Sequence, residues 1–265
     1  MGKPIRHHTS YLFDYPAAPI GANAAMKYLN LNRQQAEEVV RQFFMLETRF
    51  ALENLWLSKK DSKRVDQIID MHDVDKLSEM IDRNGPMILL SGHTAYYFMI
   101  LWALNALGHK TAFMMVDPRS SVKRNAVMQR SLIQSADALS AIMPVLFTNE
   151  GGTIQKSIDL LKKGHTLLML LDIPGYQDRG TKIKLFGSDF WIPAGCLKIR
   201  DAAEMPVSYV YAHAADITKP YLLSLSTPVS PDKPLDLQQW ADQLEAVVRQ
   251  SPASWFGWFI LKDMI

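Results

Sequence analysis

The stretch Met87-Ile88-Leu89-Leu90-Ser91-Gly92-His93 decides the fold. The preceding Asn84-Gly85-Pro86 ends any helix before it. Four apolar residues in a row are too short for a core helix and predict a buried strand of a parallel sheet. The strand ends in Ser91-Gly92-His93, so the histidine should lie at the carboxyl edge of the sheet, where open α/β sheets bind their ligands.

Apolar runs and amphipathic segments alternate along most of the remaining chain. Further strands are predicted at residues 111–116, 143–147, 166–171 and 207–212. Helices are predicted at residues 32–57, 74–83, 97–107, 123–135, 152–163 and 237–250. This order predicts an α/β fold with a mostly parallel central sheet flanked by helices on both faces. One domain over residues 1–265 is expected, and residues 1–30, which lack a clean period, should form an irregular N-terminal segment that is either extended or made of short helical turns lying over the domain.

Composition excludes several classes of protein. A formal net charge of +2 is too small, in a chain of 265 residues, to indicate nucleic acid as an obligate partner. Cys196 is the only cysteine, so an intrachain disulfide is impossible and a reducing compartment is expected. The polar N-terminus lacks the apolar core of a secretory signal, and no apolar run reaches the roughly 20 residues that span a bilayer. We therefore expect a cytoplasmic protein.

The helix predicted after Asn32, which is placed as its N-cap, has a wide apolar face with Phe43, Phe44 and Phe50. Core packing is the plainer interpretation of this face, and contact with a membrane surface is the alternative. Any membrane contact should be peripheral, through this face or through a second group of aromatic residues. That second group is Trp255, Phe256, Trp258 and Phe259.

His93 and Asp172 are the candidate catalytic residues. His93 directly follows a strand and a glycine, and a histidine at that edge titrates near neutral pH and suits general base catalysis. Asp172 follows the apolar strand Leu167–Leu171, so it should emerge at the same edge and orient the imidazole. The alternative role for Asp172 is to cap the turn Asp172-Ile173-Pro174-Gly175.

Three basic residues follow the strand that ends at Val116. Arg119, Lys123 and Arg124 should lie near the same edge and could bind a phosphate or carboxylate, with Arg119 favoured over Lys123. The alternative is a solvated helix start. Motifs of serine hydrolases, P-loop NTPases and zinc peptidases are absent, and no metal is expected, since no Cys cluster or closely spaced His and carboxylate set occurs.

The order of these pieces resembles the bacterial lipid A biosynthesis acyltransferase family, of the lysophospholipid acyltransferase-like kind. The matching pieces are Ser91-Gly92-His93, the basic segment, Asp172, Lys184-Leu185-Phe186-Gly187 and the ending Ser251-Pro252-Ala253-Ser254-Trp255-Phe256-Gly257-Trp258. The likeness covers about residues 30 to 260. It implies transfer of a fatty acyl group from an acyl carrier protein or coenzyme A thioester to a hydroxyl, with a histidine base and a carboxylate partner. No further cofactor is implied.

The chain departs from the family's pattern at two points. The resemblance places an acid five residues after the histidine, where this chain has Phe98. Phenylalanine cannot accept a hydrogen bond from an imidazole N–H, so the usual pair is impossible at that position. Members acting on lipid A usually also carry an N-terminal membrane helix, which this sequence does not show.

Three functional hypotheses follow from this comparison. The first is an acyltransferase that uses His93 and Asp172 as its catalytic pair and acts on a hydroxyl or amine acceptor. The second is a degenerate family member that binds acyl carrier or acyl chains without turnover. The third is a different reaction on the same fold. The segment 96–102 should line an acyl groove or belong to the core. The candidate substrate-binding residues are Arg119, Arg124, Thr94, Tyr96 and Gly187.

Overall fold

The structure is a computed structural model that describes residues 17–57, 65–120 and 126–261. Its central sheet has six strands in the order β3-β2-β4-β1-β7-β8. Neighbouring strands are parallel except β7 and β8, which pair antiparallel. A separate antiparallel hairpin consists of β5 and β6. The strands are β1 (Ile88–Ser91), β2 (Thr111–Met115), β3 (Val145–Phe147), β4 (Thr166–Leu170), β5 (Gly180–Leu185), β6 (Ser188–Pro193), β7 (Val207–His213) and β8 (Leu222–Leu225).

Helices connect most of the strands and cover the sheet. The α-helices are α1 (Ala18–Leu29), α2 (Arg33–Leu57), α3 (Val65–Ile68), α4 (Met71–Asn84), α5 (Phe98–Ala106), α6 (Ala126–Ser140), α7 (Thr153–Lys162), α8 (Gly195–Ala203) and α9 (Leu237–Gln250). Short 3₁₀ turns cover Pro118–Ser120, Pro252–Ser254 and Phe256–Phe259. The predicted helices and strands begin and end within a few residues of the observed ones, apart from residues 121–125, which lie outside the described part of the chain.

The sheet separates two clusters of buried apolar side chains. Ile88 and Leu90 of β1 point into the first cluster, together with α1, α9 and only the half of α2 from Ala36 to Phe44. Leu89 points into the second, together with α4 and α5. Successive side chains of a strand point to opposite faces, and both faces of this sheet are covered by helices. The predicted α/β architecture is therefore confirmed.

Helix α2 extends from one face of the sheet to the other. Its N-terminal half buries Phe43 in the first cluster, whereas Leu46, further along, lies in the second. The helix begins as predicted, since the Gln35 backbone N–H donates to the Asn32 side chain over 2.9 Å and the Asn32 N–H donates to the Gln35 side chain over 2.9 Å. This reciprocal capping stabilises the first turn of α2.

The expected irregular segment over residues 1–30 is wrong for residues 18–29, which form the regular helix α1. Its alanines have the highest helix propensity but give no hydrophobic period. Pro19 lies in the first turn, where proline is tolerated, and Asn30 ends the helix in the left-handed conformation with a φ of 56°. Residues 1–16 lie outside the described part of the chain.

The two aromatic groups considered for membrane contact form part of the core. Phe43 and Phe44 are buried, with 4% and 9% of their surfaces exposed. The ring centroids of Phe43 and Phe259 are 4.9 Å apart, so the two groups pack against each other. Core packing therefore accounts for most of these rings, while peripheral membrane contact stays a prediction. Among residues 17–57, 65–120 and 126–261, no helix is long and apolar enough to cross a bilayer.

Candidate active site

The register of the central sheet brings His93 and Asp172 together. Strands β1 and β4 are parallel neighbours in which Ser91 pairs with Leu170. The pairing continues one step further, because the Leu171 N–H donates to the Ser91 carbonyl over 3.0 Å. His93 and Asp172 each follow two residues after the paired positions. They are thus adjacent at the carboxyl edge although 79 positions separate them in the sequence.

Three N–H groups donate to the Asp172 carboxylate. The His93 ring nitrogen Nδ1 lies 2.7 Å from Oδ1, and the His93 backbone N–H donates to Oδ2 over 2.7 Å. The Trp255 indole Nε1–H also donates to Oδ2, over 2.8 Å. Asp172 has no exposed surface, so these partners replace water for a buried carboxylate. The predicted approach of His93 and Asp172 is confirmed, while their catalytic roles stay a prediction.

The chain around Trp255 fixes the loop that carries His93. The Phe256 N–H donates to the His93 carbonyl over 3.0 Å, and the Ala95 N–H donates to the Ser254 carbonyl. Thr94 and Trp255 form an antiparallel bridge between these two bonds. Ala95 adopts a left-handed φ of 40°, a conformation that costs a non-glycine residue about 1 kcal/mol or more. The surrounding hydrogen bonds hold the loop in this strained turn.

Gly92 leaves no spare room behind the pair. A Cβ atom at this position would lie 3.0 Å from Asp172 Oδ2 and 3.0 Å from Leu244 Cδ1 of α9. Both distances are shorter than ordinary van der Waals contact, so a side chain here would push against the carboxylate that His93 contacts. The close approach of β1, Asp172 and α9 therefore favours the glycine of the Ser-Gly-His strand end.

The side of the His93 ring that faces away from Asp172 is partly exposed to solvent. Because Nδ1 donates to Asp172, the neutral ring carries its lone pair on Nε2. The imidazole side chain is 24% exposed. The Tyr97 ring stands edge-on to it with centroids 5.4 Å apart, and the Phe256 ring lies 6.0 Å away. A half-shielded Nε2 that is oriented by a buried carboxylate can accept a proton from a bound hydroxyl or amine.

Two residues that the sequence reasoning missed contribute to this site. The sequence shows Trp255 only as part of an aromatic ending, yet its indole N–H donates to Asp172. Glu47 of α2 is half-buried, and removal from water raises the pKa of its carboxyl to about 7 against the opposing effect of the nearby His93. The signal for Glu47 was present in the sequence, because it is an acid among the phenylalanines on the apolar face of a helix.

Phe98 is the first residue of α5, as predicted, and packs in the core. Only 1% of its surface is exposed, and its ring stands edge-on to Phe113 of β2 with centroids 5.1 Å apart. The apolar residues from Phe98 to Leu104 are buried in the second cluster. The core interpretation of segment 96–102 therefore holds, and the acyl groove expected along it is wrong.

The other residues predicted to bind substrate, outside the β5–β6 hairpin, are either buried or already paired with other side chains, where the structure describes them. Thr94 is buried, and its hydroxyl has no hydrogen-bond partner within the described residues. Tyr96 is also buried, with its ring 4.2 Å from that of Phe50. Arg119 forms ion pairs with Asp117 and Asp137, so neighbouring carboxylates neutralise its charge. Lys123 and Arg124 lie outside the described residues.

Gly187 lies in the turn of the β5–β6 hairpin, with a left-handed φ of 75°. It lines a surface depression of about 470 Å³ together with Lys27, Lys184 and Asp189. The preceding Phe186 connects this turn to the site, because its ring lies 5.5 Å from that of Trp255. Across the described ranges, no group of three or more His, Cys, Asp or Glu side chains is arranged to hold a metal ion.

The fold and the pair together define an α/β protein with a partly exposed histidine held against a buried carboxylate at the carboxyl edge of a mostly parallel sheet. The model of the family described as bacterial lipid A biosynthesis acyltransferase matches residues 30–262, and the chain belongs to this family. Membership supports an acyltransferase function in general terms. No curated protein matches the chain.

Proposed function

We propose that this protein transfers an acyl group from an acyl carrier protein or coenzyme A thioester to a hydroxyl or amine acceptor, with His93 as the general base. Family membership supports acyl transfer. The single observation that carries the role of His93 is the contact of its Nδ1 with the buried Asp172, 2.7 Å away. This contact fixes the tautomer that leaves Nε2 as a proton acceptor.

The proposed reaction needs no group other than the two substrates and the pair. His93 Nε2 takes the proton of the acceptor O–H or N–H as that atom attacks the thioester carbonyl carbon. The tetrahedral intermediate then collapses with cleavage of the C–S bond, and the imidazolium returns the proton to the departing thiolate. Asp172 stays ionised throughout and stabilises the positive imidazolium. In this proposal it takes over the role of the acid that is absent at Phe98.

Binding of the donor is proposed for the depression beside Gly187. Both donors carry a phosphopantetheine arm, and the ammonium groups of Lys27 and Lys184 on the rim suit its phosphate. Arg119 is a weaker candidate than the sequence indicated, because Asp117 and Asp137 already pair with it. Acyl carrier proteins and coenzyme A thioesters are cytoplasmic, so the proposal places the protein in the cytoplasm or peripherally on the inner face of the membrane.

The proposal is tested by incubating the purified protein with acyl carrier protein and coenzyme A thioesters of several chain lengths and a lysate of candidate acceptors. Acylated products are detected by mass spectrometry. His93→Ala should abolish product formation, and Asp172→Asn should lower kcat by about two orders of magnitude or more, since it removes the group that orients the base. His109→Ala is the matched control, because His109 contacts Ser78 on α4, away from the pair.

Full activity of His93→Ala on the true substrate would overturn the proposal. Binding of acyl carrier protein or acyl chains without product formation, by wild type and both variants alike, would instead establish a degenerate family member. Release of free fatty acid without any acylated acceptor would indicate acyl hydrolysis on the same fold.

A further inference from the structure

One face of α2 carries an acid between two aromatic residues. Glu47 lies four residues after Phe43 and three residues before Phe50. At this spacing the three side chains lie on the same side of the helix. The remaining acids in the first part of α2 belong to its solvent side, as shown by the side chain of Glu37, which is 57% exposed and paired with Arg33. Glu47 is thus the acid that this helix turns inward beside its two phenylalanines.

The two phenylalanines contact residues on either side of His93. Phe43 lies 6.2 Å from Phe256, ring to ring, and Phe256 lies 6.0 Å from the His93 ring. Phe50 lies 4.2 Å from Tyr96, which follows His93 by three residues. Glu47 stands between Phe43 and Phe50 on α2, so its side chain faces the segment that begins with His93.

The electrostatics agree with this placement. Within the described residues, His93 is the charged partner that acts on Glu47, and no hydrogen bond or ion pair is formed by its carboxyl. Loss of hydration raises the pKa of Glu47 to about 7, and a charged His93 lowers it. Burial raises the pKa of Tyr221, and the charge of Glu47 adds a smaller contribution in the same direction.

We infer that Glu47 is a positioning residue of the active site, an ionised carboxylate supplied by α2 that stabilises the protonated form of His93 together with Asp172. The inference rests on the proposed acyl transfer. It assigns part of the role of the acid absent at Phe98 to a residue that lies far upstream in the sequence. Glu47 acts through the imidazole and moves no atom of the substrate.

This arrangement links turnover to the protonation of two groups. Proton transfer requires a neutral His93 to accept the proton and an ionised Glu47 to stabilise the imidazolium that results. Acidification therefore removes the active form through two groups, and the acidic limb of log(kcat/KM) against pH should approach a slope of about two over the range in which Glu47 becomes protonated. With His93 alone, the limiting slope would be about one.

Other ionisable groups near Glu47 are already engaged. Arg49 on the same helix pairs with the buried Glu53 over 2.6 Å and stacks on the Tyr221 ring. Asp172, behind His93, accepts three hydrogen bonds. On α6, which also packs against α2, Asp137 pairs with Arg119. Glu47 is thus the carboxyl beside the His93 segment that these ion pairs and hydrogen bonds leave unengaged within the described residues.

The decisive experiment compares wild type with Glu47→Gln, Glu47→Asp and the control Glu37→Gln, which removes the same charge from the solvent side of α2. The first measurement is the pH profile of kcat/KM for acyl transfer. Glu47→Gln should lower kcat about tenfold or more above pH 7.5 and reduce the acidic slope from about two to about one. Glu47→Asp should keep the slope of wild type, and Glu37→Gln should match wild type in both quantities.

The second measurement needs no substrate. Diethyl pyrocarbonate modifies the neutral imidazole, and mass spectrometry of peptides follows its reaction with His93 as a function of pH. Glu47→Gln should move the midpoint of that profile by about half a pH unit or more toward acid, since the variant no longer favours the imidazolium. The Glu37→Gln profile should coincide with that of wild type.

The two measurements separate the inference from the proposed function. Absence of acyl transfer in wild type, with the midpoint of His93 modification shifted in Glu47→Gln, would reject the transferase and keep the pairing of Glu47 with His93. Normal acyl transfer with the same slope and the same midpoint in Glu47→Gln would keep the transferase and overturn the inference. Equal effects of Glu47→Gln and Glu37→Gln would also overturn it, because position on the helix would then be irrelevant.

Discussion

At the scale of single residues, Asp172 combines complete burial with hydrogen bonds from His93 and Trp255. A buried charge is tolerated when donors replace its lost hydration, and hydrogen bonds to charged groups are the strong ones. The Trp255 N–H holds Oδ2 while His93 engages both oxygens. The indole therefore orients the carboxylate, and the carboxylate orients the imidazole.

Trp255→Phe tests this chain of contacts. The variant removes the N–H donor from Asp172, so we expect a loss of about 1.5–3 kcal/mol in the free energy of unfolding and a drop of about tenfold in kcat. Trp258→Phe is the matched control, because it makes the same change in the neighbouring ring and loses a hydrogen bond only to the Pro252 carbonyl, 2.8 Å away. Urea denaturation and steady-state kinetics measure both effects. Equal losses of kcat in the two variants would show that Trp255 acts through packing alone.

The residues of the site differ in how far the sequence predicts them. His93 and Asp172 follow apolar runs that predict strands, and parallel strands end at a common edge, so their meeting was predictable. The contact of Trp255 depends on how the chain after α9 folds back over the His93 loop, which no local pattern encodes. Thr94 and Tyr96 were expected to contact the substrate, but their side chains are buried.

At the scale of elements, the β5–β6 hairpin is attached to α9 by side chains of the helix. The Gln238 side chain accepts from the Lys184 N–H and donates to the Lys184 carbonyl, both over 2.8 Å. Glu245, two turns further along α9, accepts from the Phe186 N–H over 2.6 Å. α9 also places Leu244 against the position of Gly92. One helix therefore aligns the hairpin turn with the His93 loop.

Gln238→Ala should loosen the hairpin without affecting the central sheet. The variant loses two hydrogen bonds to the hairpin of about 0.5–1.5 kcal/mol each, besides one to Asp242 on the same helix, so the Lys184 amide should exchange with solvent about tenfold faster or more. Hydrogen exchange followed by mass spectrometry compares it with Gln239→Ala, since Gln239 is the adjacent exposed glutamine on the same helix. Unchanged exchange at Lys184, or equal acceleration across β1 and β4, would contradict this attachment.

The elements of the central sheet were predictable because their strands are short apolar runs between turn residues. The hairpin was missed because β5 and β6 alternate apolar residues with Lys182, Lys184 and Asp189, a pattern that looks like a polar loop when no partner strand is known. Lys182 of β5 and Asp189 of β6 form an ion pair over 2.6 Å. This pairing between strands stabilises the hairpin but cannot be recognised from either strand alone.

At the scale of the whole molecule, Glu47 makes the stability of the fold depend on pH. Burial raises the pKa of its carboxyl from an ordinary value of 4.5 to about 7 in the folded protein. Between these two pH values the folded protein binds a proton that the unfolded chain has released, so this group makes the free energy of unfolding fall as pH rises. The destabilisation caused by Glu47 is complete above the pKa of the folded protein and absent below pH 4.5.

Glu47→Gln should remove this dependence. The free energy of unfolding of the variant should exceed that of wild type at pH 8 by about 1–3 kcal/mol, and this difference should shrink as the pH falls toward 5. Urea denaturation monitored by circular dichroism at the two pH values measures it, with Glu37→Gln as the exposed control. A difference between Glu47→Gln and wild type that is the same at both pH values would show that Glu47 does not titrate in this range.

The contacts between the His93 loop and the chain around Trp255 have a consequence for synthesis of the protein. A ribosome makes His93 and Asp172 long before Trp255, and domains fold as their residues emerge. Until Ser254 and Phe256 are available, the strained turn at Ala95 has no partner strand to hold it. A nascent chain can therefore build most of its sheet early, but the His93 loop gains its partner segment only after nearly all of the described sequence has left the exit tunnel.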